Sequence, residues 1–219
     1  MLYFYSVYLA PLSVLIPAFF GIKYYKSLTN PFRIIFWFVI FSGLVNAINL
    51  MMMFVLYMQT LVVLHFYTIF EFIFISMFYR CFQNKAGRNV INALMVIFAL
   101  LCLINFVFFQ KITSFNTYTR TTGAIIIIGY CVQYFFKQSE RDIDSNWASN
   151  GLNWLNAGIL IYYASGIFFF MTNNYLMLHK SSFITDLLWS IIDTMLLVEY
   201  ILFAIGFYKC KEHPTTSLS

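Results

Sequence analysis

A few ionisable side chains interrupt the long apolar stretches of this chain, and they are the residues best able to do chemistry. They are His65, Glu71, Arg120, Asp186, Asp193 and Glu199. Carboxyl and imidazole groups exchange protons and bind cations or the polar groups of a ligand. In a membrane such groups usually face a bundle interior or a cavity, because exposing them to lipid is costly. Their positions therefore indicate a candidate polar site.

The shallower of these residues form one predicted layer. If the apolar stretches are helices that cross a membrane, His65, Arg120 and Asp186 lie roughly 6 Å below the same surface, at a rise of about 1.5 Å per residue. Arg120 and Asp186 carry opposite charges at this depth. We therefore expect a structural ion pair between Arg120 and Asp186 near the membrane interface.

The deeper layer contains two acids and two amides. Glu71 and Asp193 lie roughly 15 Å below the same surface. Asn46 and Asn49 are three residues apart, so they share a helix face at a similar depth. Two carboxylates at one depth cannot both be charged at low cost, so they are expected to share a proton or a cation. The sequence predicts a ligand-binding pocket formed by His65, Glu71, Asp193, Asn46 and Asn49, open to the outer side.

The elements that must position these residues are seven apolar stretches. A spanning helix needs about 20 residues to cross roughly 30 Å of hydrocarbon. The 219-residue chain is 62% hydrophobic and 10% charged, whereas soluble domains carry about 25% charged residues. We therefore predict an all-α, seven-transmembrane helix bundle over 1–209, followed by a short cytosolic tail, 210–219. The helices are expected at about 2–22, 33–57, 61–82, 89–109, 116–137, 152–173 and 182–208.

The basic residues predict the orientation of this bundle. Most of them fall in connections on one side, whereas only Lys111 and Lys180 lie in connections on the other. The positive-inside rule then places the amino terminus outside and the carboxyl terminus in the cytosol. The net charge of +5 is a topology signal by this interpretation, so no nucleic-acid partner is expected. The basic residues on the cytosolic side are Lys23, Lys26, Arg33, Arg80, Lys85, Arg88, Lys137, Arg141, Lys209 and Lys211.

Two further features concern helix geometry. Pro11 and Pro17 should disturb the first helix, because proline lacks an amide hydrogen and its ring crowds the preceding turn. Gly151, Gly158 and Ser165 recur every seven residues in the sixth helix. A stripe of small residues lets a neighbouring helix approach closely, so we expect tight packing along it.

The chain has no pattern typical of a metal or cofactor site. Its four cysteines match no zinc spacing, and we expect neither a disulfide nor a bound metal. The last helix has no lysine before Lys209, which argues against a retinal Schiff base. We expect no cofactor and no catalytic residue of an established type.

The segments 64–72, 115–120, 157–163 and 204–207 resemble those of short bacterial seven-helix integral membrane proteins of uncharacterised function. The resemblance implies a bacterial inner (plasma) membrane. It implies no activity and assigns no functional residue.

Three functions are compatible with this pattern. The first is a small-ligand sensor or accessory signalling component, whose cytosolic or membrane partner would bind at 80–88 or 138–150. The second is a lipid-acting enzyme in which Glu71 or Asp193 serves as general acid or base, assisted by His65. The third is a proton or cation pathway through Glu71, Asp193 and Glu199. A pocket that is closed below Asp193 would favour the sensor. A lateral opening to lipid beside the carboxylates would favour the enzyme, and a continuous polar track from Asp193 to Glu199 would favour the proton or cation pathway.

Overall fold

The computed structural model describes residues 2–141, 147–179 and 181–212. Within these ranges the regular structure is helical, which confirms the all-α class. Seven long helices, α1 to α7, follow one another with short connections. They are α1 in the segments Leu2–Phe4, Tyr5–Leu9, Ala10–Leu12 and Leu15–Lys23; α2, Asn30–Phe54; α3, Leu61–Arg80; α4, Lys85–Phe109; α5, Thr117–Arg141; α6, Gly151–His179; and α7, Ser182–Glu212.

By length and composition, six of the helices are long and apolar enough to cross a membrane. They are α2, α3, α4 and α6, together with the part of α1 that begins at Tyr5 and the part of α7 between Phe183 and Cys210. The chain therefore has the character of an integral membrane protein. Helix α5 is also long, at 25 residues, but Arg120 and several threonines at its start lower its hydropathy. Large apolar side chains such as Phe108 and Leu178 lie exposed on the outside of the bundle, as lipid-facing residues do.

Helix α1 is irregular where the prolines predicted a disturbance. The α-helix is interrupted at Ser13 and Val14, between Pro11 and Pro17, and a π-helical turn occupies Tyr5–Leu9. The hydroxyl of Ser13 donates to the carbonyl of Ala10, so it satisfies one of the backbone acceptors near the break. The regular helix is therefore broken at this point, where α1 can bend.

Some helix ends differ from the predicted ones for local reasons. Helix α4 begins at Lys85 rather than near 89, because the side chain of Asn84 caps it by accepting the amide of Gly87 at 2.9 Å. Helix α6 continues to His179, well beyond the predicted end near 173. Helix α7 continues to Glu212, so residues 210–212 of the predicted tail are helical, and 213–219 lie outside the described residues.

Helices α6 and α7 pack against each other most extensively, and α6 also packs on α5. The small residues of α6 make this contact close, as predicted for Gly151 and Gly158. A Cβ on Gly151 would lie 2.5 Å from the carbonyl oxygen of Gly206, and one on Gly158 would lie 3.2 Å from that of Glu199. Ser165 is exposed instead, and its hydroxyl donates back to the carbonyl of Ile161.

Candidate functional site

An ion pair between α3 and α5 forms the charged centre of the bundle. The Nη1 atom of Arg120 lies 3.2 Å from Oε2 of Glu71, and both side chains are buried. The predicted pairing of Arg120 with Asp186 is therefore wrong. Asp186 is exposed near the start of α7, whereas the long Arg120 side chain reaches the deeper layer and neutralises Glu71. Depth along a helix did not account for the length of the arginine side chain.

Other polar and aromatic groups hold the Arg120 guanidinium in place. Its Nη2 donates to the hydroxyl of Tyr162 at 2.8 Å, and its Nη1 reaches Oγ1 of Thr68 at 3.5 Å. The guanidinium lies over the ring of Phe170, 4.7 Å from the ring centre, where a cation–π interaction adds stability. Asn116 donates to the same Thr68 oxygen at 2.7 Å. Contacts from α3, α5 and α6 thus fix the cation in one position.

A cavity of about 410 Å³ lies directly beside this centre. It occupies the half of the bundle where α1, α3, α5 and α7 begin and where α2 and α6 end. Its volume falls within the range of about 300–1,000 Å³ found for small-molecule sites. Its walls are mostly apolar and aromatic, with a few polar side chains among them. The polar and aromatic lining residues are Ser6, Asn46, Asn49, Thr60, Tyr67, Phe115, Arg120, Tyr162, Phe169, Phe170, Asp186, Trp189, Asp193 and Tyr200.

Three of the predicted ligand-binding residues line the cavity: Asn46, Asn49 and Asp193. The Nδ2 of Asn46 donates to the carbonyl of Pro11 at 3.4 Å, so it links α2 to the disturbed part of α1. The Oδ1 atom of Asn49 is buried and has no hydrogen-bond partner within the described residues. Buried polar atoms are rarely left without a partner. Asn49 is therefore suited to accept a hydrogen bond from a molecule in the cavity.

Asp193 supplies a carboxyl group to the same space from α7. It lies beside the hydroxyl of Ser6, and Ser6 in turn lies 3.2 Å from the hydroxyl of Ser190. The hydroxyl of Tyr5 lies 2.9 Å from Oγ1 of Thr194. These contacts attach the first half of α1 to α7, so this segment covers one side of the cavity.

The other two predicted ligand-binding residues are not among those that line the cavity. Glu71 lies behind its wall, where it neutralises Arg120 and faces the hydroxyls of Tyr67 and Tyr163. His65 is rotated to another face of α3 and is buried there. Its Nε2 lies 2.9 Å from the carbonyl oxygen of Ser114, so this hydrogen bond fixes α3 to the connection before α5. The prediction of a pocket-lining His65 used its depth and did not take this rotation into account.

The aromatic part of the site was not predicted from the sequence. Tyr162 contacts Arg120 directly, and Trp189, Phe115 and Phe169 form a cluster of edge-to-face rings on one wall. Aromatic residues make up 21% of the chain, so their presence in a segment is a weak signal. The spacing of Tyr67 four residues before Glu71, on one face of α3, was the best available indication.

Within the part of the chain that the structure describes, no group of three or more His, Cys, Asp or Glu residues could hold a metal ion. The four cysteines are free thiols. No protein-family model, no curated protein and no solved structure matches this chain.

Proposed function

We propose that this protein is a sensor, or an accessory signalling component, that binds a small organic molecule in the cavity between its helices. The observation that carries the proposal is the cavity of about 410 Å³ with the guanidinium of Arg120 fixed at its edge. Aromatic walls suit the apolar body of a ligand, while Asn49, Asp193 and Arg120 offer an acceptor, a carboxyl group and donors for its polar groups. Such a division between apolar walls and few polar groups is typical of ligand sites.

The proposed setting is a bacterial inner membrane crossed by all seven helices. Helix α5 has a mean hydropathy reduced by Arg120, but Glu71 neutralises that charge inside the bundle, so α5 can span with the other six. The excess of Lys and Arg on one side supports an outer amino terminus and a cytosolic carboxyl terminus. In this orientation the cavity lies in the outer half and receives its ligand from that side.

A sensor with short connections needs a partner to transmit its signal. The exposed basic residues Arg80, Lys85 and Arg88, near the α3–α4 connection, offer one surface on the proposed cytosolic side. The other proposed surface is the segment 138–150, which comprises the end of α5 and the α5–α6 connection; residues 142–146 of it lie outside the described residues. An acidic surface on a cytosolic or membrane protein would be complementary to the first.

The tryptophan in the cavity wall allows a direct test of ligand binding. Trp189 lines the cavity, whereas Trp37 lies exposed on the outside of α2. We expect the tryptophan fluorescence of the purified protein to change when a matching compound is added from a panel of small amines, amino acids, carboxylic acids and neutral alcohols. The change should saturate with concentration, as a site of defined size requires.

Variants assign the signal to the cavity. Trp189→Phe should abolish the fluorescence change, while Trp37→Phe should retain it. Asp193→Asn should weaken the binding of any amine by roughly tenfold or more, because an ion pair or a charge-assisted hydrogen bond is lost. A change that persists in Trp189→Phe and disappears in Trp37→Phe would assign binding to the lipid-facing surface and contradict the proposal.

A further inference from the structure

Polar side chains continue through the core beyond the cavity, towards the opposite end of the bundle. Glu199 on α7 is 2% exposed, and no ion pair or hydrogen bond reaches it from the described residues. A buried carboxylate without a partner is very costly in a medium of low dielectric. A protonated, uncharged Glu199 carboxyl group avoids this cost.

The ionisable groups that interact electrostatically with Glu199 lie on four helices. They are Tyr79 and Glu71 on α3, Arg120 and Cys131 on α5, Tyr162 and Tyr163 on α6, and Tyr200 on α7 itself. The charge of Arg120 is already neutralised by Glu71 at 3.2 Å. The remaining neighbours are hydroxyls and a thiol, which can donate, accept and pass on hydrogen bonds but supply no counter-ion.

Several groups in this part of the core have hydrogen-bonding capacity that their neighbours do not fully use. The Oε1 atom of Glu199 is buried without a hydrogen-bond partner within the described residues. The buried hydroxyls of Ser76, Tyr130 and Tyr163 make no hydrogen bond of ordinary geometry there either, although Tyr130 faces Ser76 and Tyr163 faces Glu71. Native proteins satisfy almost all such atoms, commonly through ordered water with two to four polar contacts. These groups therefore retain hydrogen-bonding capacity beside Glu199.

Hydrogen bonds extend this cluster towards the α5–α6 connection. The hydroxyl of Tyr79 donates to Oδ1 of Asn156 at 2.7 Å, and the thiol of Cys131, 3.0 Å away, can donate to Tyr79 in turn. One helical turn further, the hydroxyl of Tyr134 donates to Oδ1 of Asn153 at 3.1 Å. Asn153 donates to the carbonyl of Trp147 at 3.0 Å, outside the core.

The other end of the column meets the cavity. Tyr200 lines the cavity and directly follows Glu199 along α7. Tyr162 also lines the cavity, and its ring lies 5.1 Å from that of Tyr163. The polar column therefore has one end at the cavity and the other at the α5–α6 connection, with Glu199 between them. No other ionisable residue of the described core combines this central position with the lack of a counter-ion.

We propose that this column, from Tyr200 through Glu199 and Tyr79 to Asn153, is a proton pathway in which Glu199 carries the proton. In each cycle the Glu199 carboxyl releases its proton to water on one side and takes a proton from water on the other. One O–H bond breaks and one forms, so no oxidant or reductant is needed. This activity goes beyond the ligand binding proposed above and does not depend on it.

The test measures proton flux into vesicles. The purified protein is reconstituted in phosphatidylcholine–phosphatidylglycerol vesicles that contain a pH-sensitive dye, and a potassium diffusion potential set with valinomycin drives protons inward. We expect the wild-type protein to acidify the lumen faster than protein-free vesicles do. Glu199→Gln should reduce the flux to the protein-free level, because glutamine is isosteric but cannot exchange a proton. Tyr79→Phe should slow it.

The matched control is Glu140→Gln, which removes an exposed carboxylate near the end of α5 and should leave the flux unchanged. Infrared spectroscopy provides a second measurement. The carbonyl band of a protonated carboxyl group should disappear in Glu199→Gln and persist in Glu140→Gln. Wild-type flux equal to that of protein-free vesicles, or equal flux in wild type and Glu199→Gln, would overturn the proposal. Equal carboxyl bands in the two variants would also overturn it.

Discussion

Arg120 is a charged residue in the buried core of this protein. It is buried between helices, and its charge is stable there because Glu71 and the Tyr162 hydroxyl surround the guanidinium. A buried ion pair contributes little net stability relative to apolar residues, but leaving one partner alone is severely destabilising. The pair therefore ties α3 to α5 and fixes the edge of the cavity.

Glu71→Gln tests this dependence. We expect it to lower the free energy of unfolding by about 3–5 kcal/mol, because the Arg120 charge remains buried without a counter-ion. The measurement is denaturant-induced unfolding in detergent micelles. The double variant Glu71→Leu with Arg120→Met should recover much of the loss, since neither charge is then buried. A double variant as unstable as the single one would show that the ion pair is not the cause.

Among the elements, α6 and α7 depend most on close backbone contact. Gly151 faces the carbonyl of Gly206, where an added methyl group would lie 2.5 Å from the oxygen. Contacts of this kind replace the hydrophobic driving force between helices that lipid does not provide. Helix α6 carries Tyr162, and α7 carries Asp193 and Glu199. The distance between the two helices therefore determines the shape of both the cavity and the polar column.

Gly151→Ala should destabilise the protein by about 1–3 kcal/mol, because the methyl group must push the two backbones apart. Gly129→Ala is the matched control, since a Cβ at that helical position meets nothing within 4 Å. It should be neutral or stabilising by up to about 1 kcal/mol, because alanine favours the helix over glycine. Thermal unfolding in detergent distinguishes the two variants. Equal losses at both positions would contradict the close-contact explanation.

The start of α4 depends on a single cap. Asn84 accepts the amide of Gly87 at 2.9 Å, and this bond explains why the helix begins at Lys85. Asn84→Ala should cost about 0.5–2 kcal/mol, whereas Asn84→Ser, which retains an acceptor, should cost much less. Hydrogen exchange of the amides near Lys85 should increase in the alanine variant only. Unchanged exchange there would show that the cap does not hold this end.

At the scale of the whole molecule, the orientation of the bundle in the membrane decides which side the cavity faces. Gln59, in the connection before α3, and Lys85, the first residue of α4, lie at opposite ends of α3, and both residues are exposed. The distribution of Lys and Arg predicts that Gln59 faces outward and Lys85 faces the cytosol. The outward position of the cavity, and the direction of any signal or proton, depends on this orientation.

Cysteine labelling tests the orientation in intact cells. A membrane-impermeant maleimide should label Gln59→Cys directly and Lys85→Cys only after the inner membrane is permeabilised. The four native cysteines are buried or partly buried, and Cys81, the partly buried one, lies on the proposed cytosolic side. The wild-type protein, labelled in parallel, gives the background. Labelling of Lys85→Cys alone in intact cells would reverse the orientation and place the cavity on the cytosolic side.

The helical class and the approximate helix positions could be predicted because they depend on local composition. Apolar stretches of about 20 residues form helices in lipid whatever their neighbours are, since every backbone hydrogen bond must be made within the segment. The polar layer was partly predictable for the same reason, because depth follows from position along a helix. Asn46, Asn49 and Asp193 lie on the cavity, as helical phase and depth indicated.

The partners of the charged residues depend on tertiary structure. Arg120 and Asp186 were predicted at the same depth below the membrane surface, yet Arg120 pairs with Glu71. It does so because α3 and α5 pack together and the arginine side chain is about as long as one helical turn. Likewise, the polar neighbours of Glu199 come from four helices, so no spacing within one segment could identify them. Composition and periodicity determined which segments are helices and which groups are costly to bury. The packing of those helices determined which groups meet, because such contacts join residues distant in sequence.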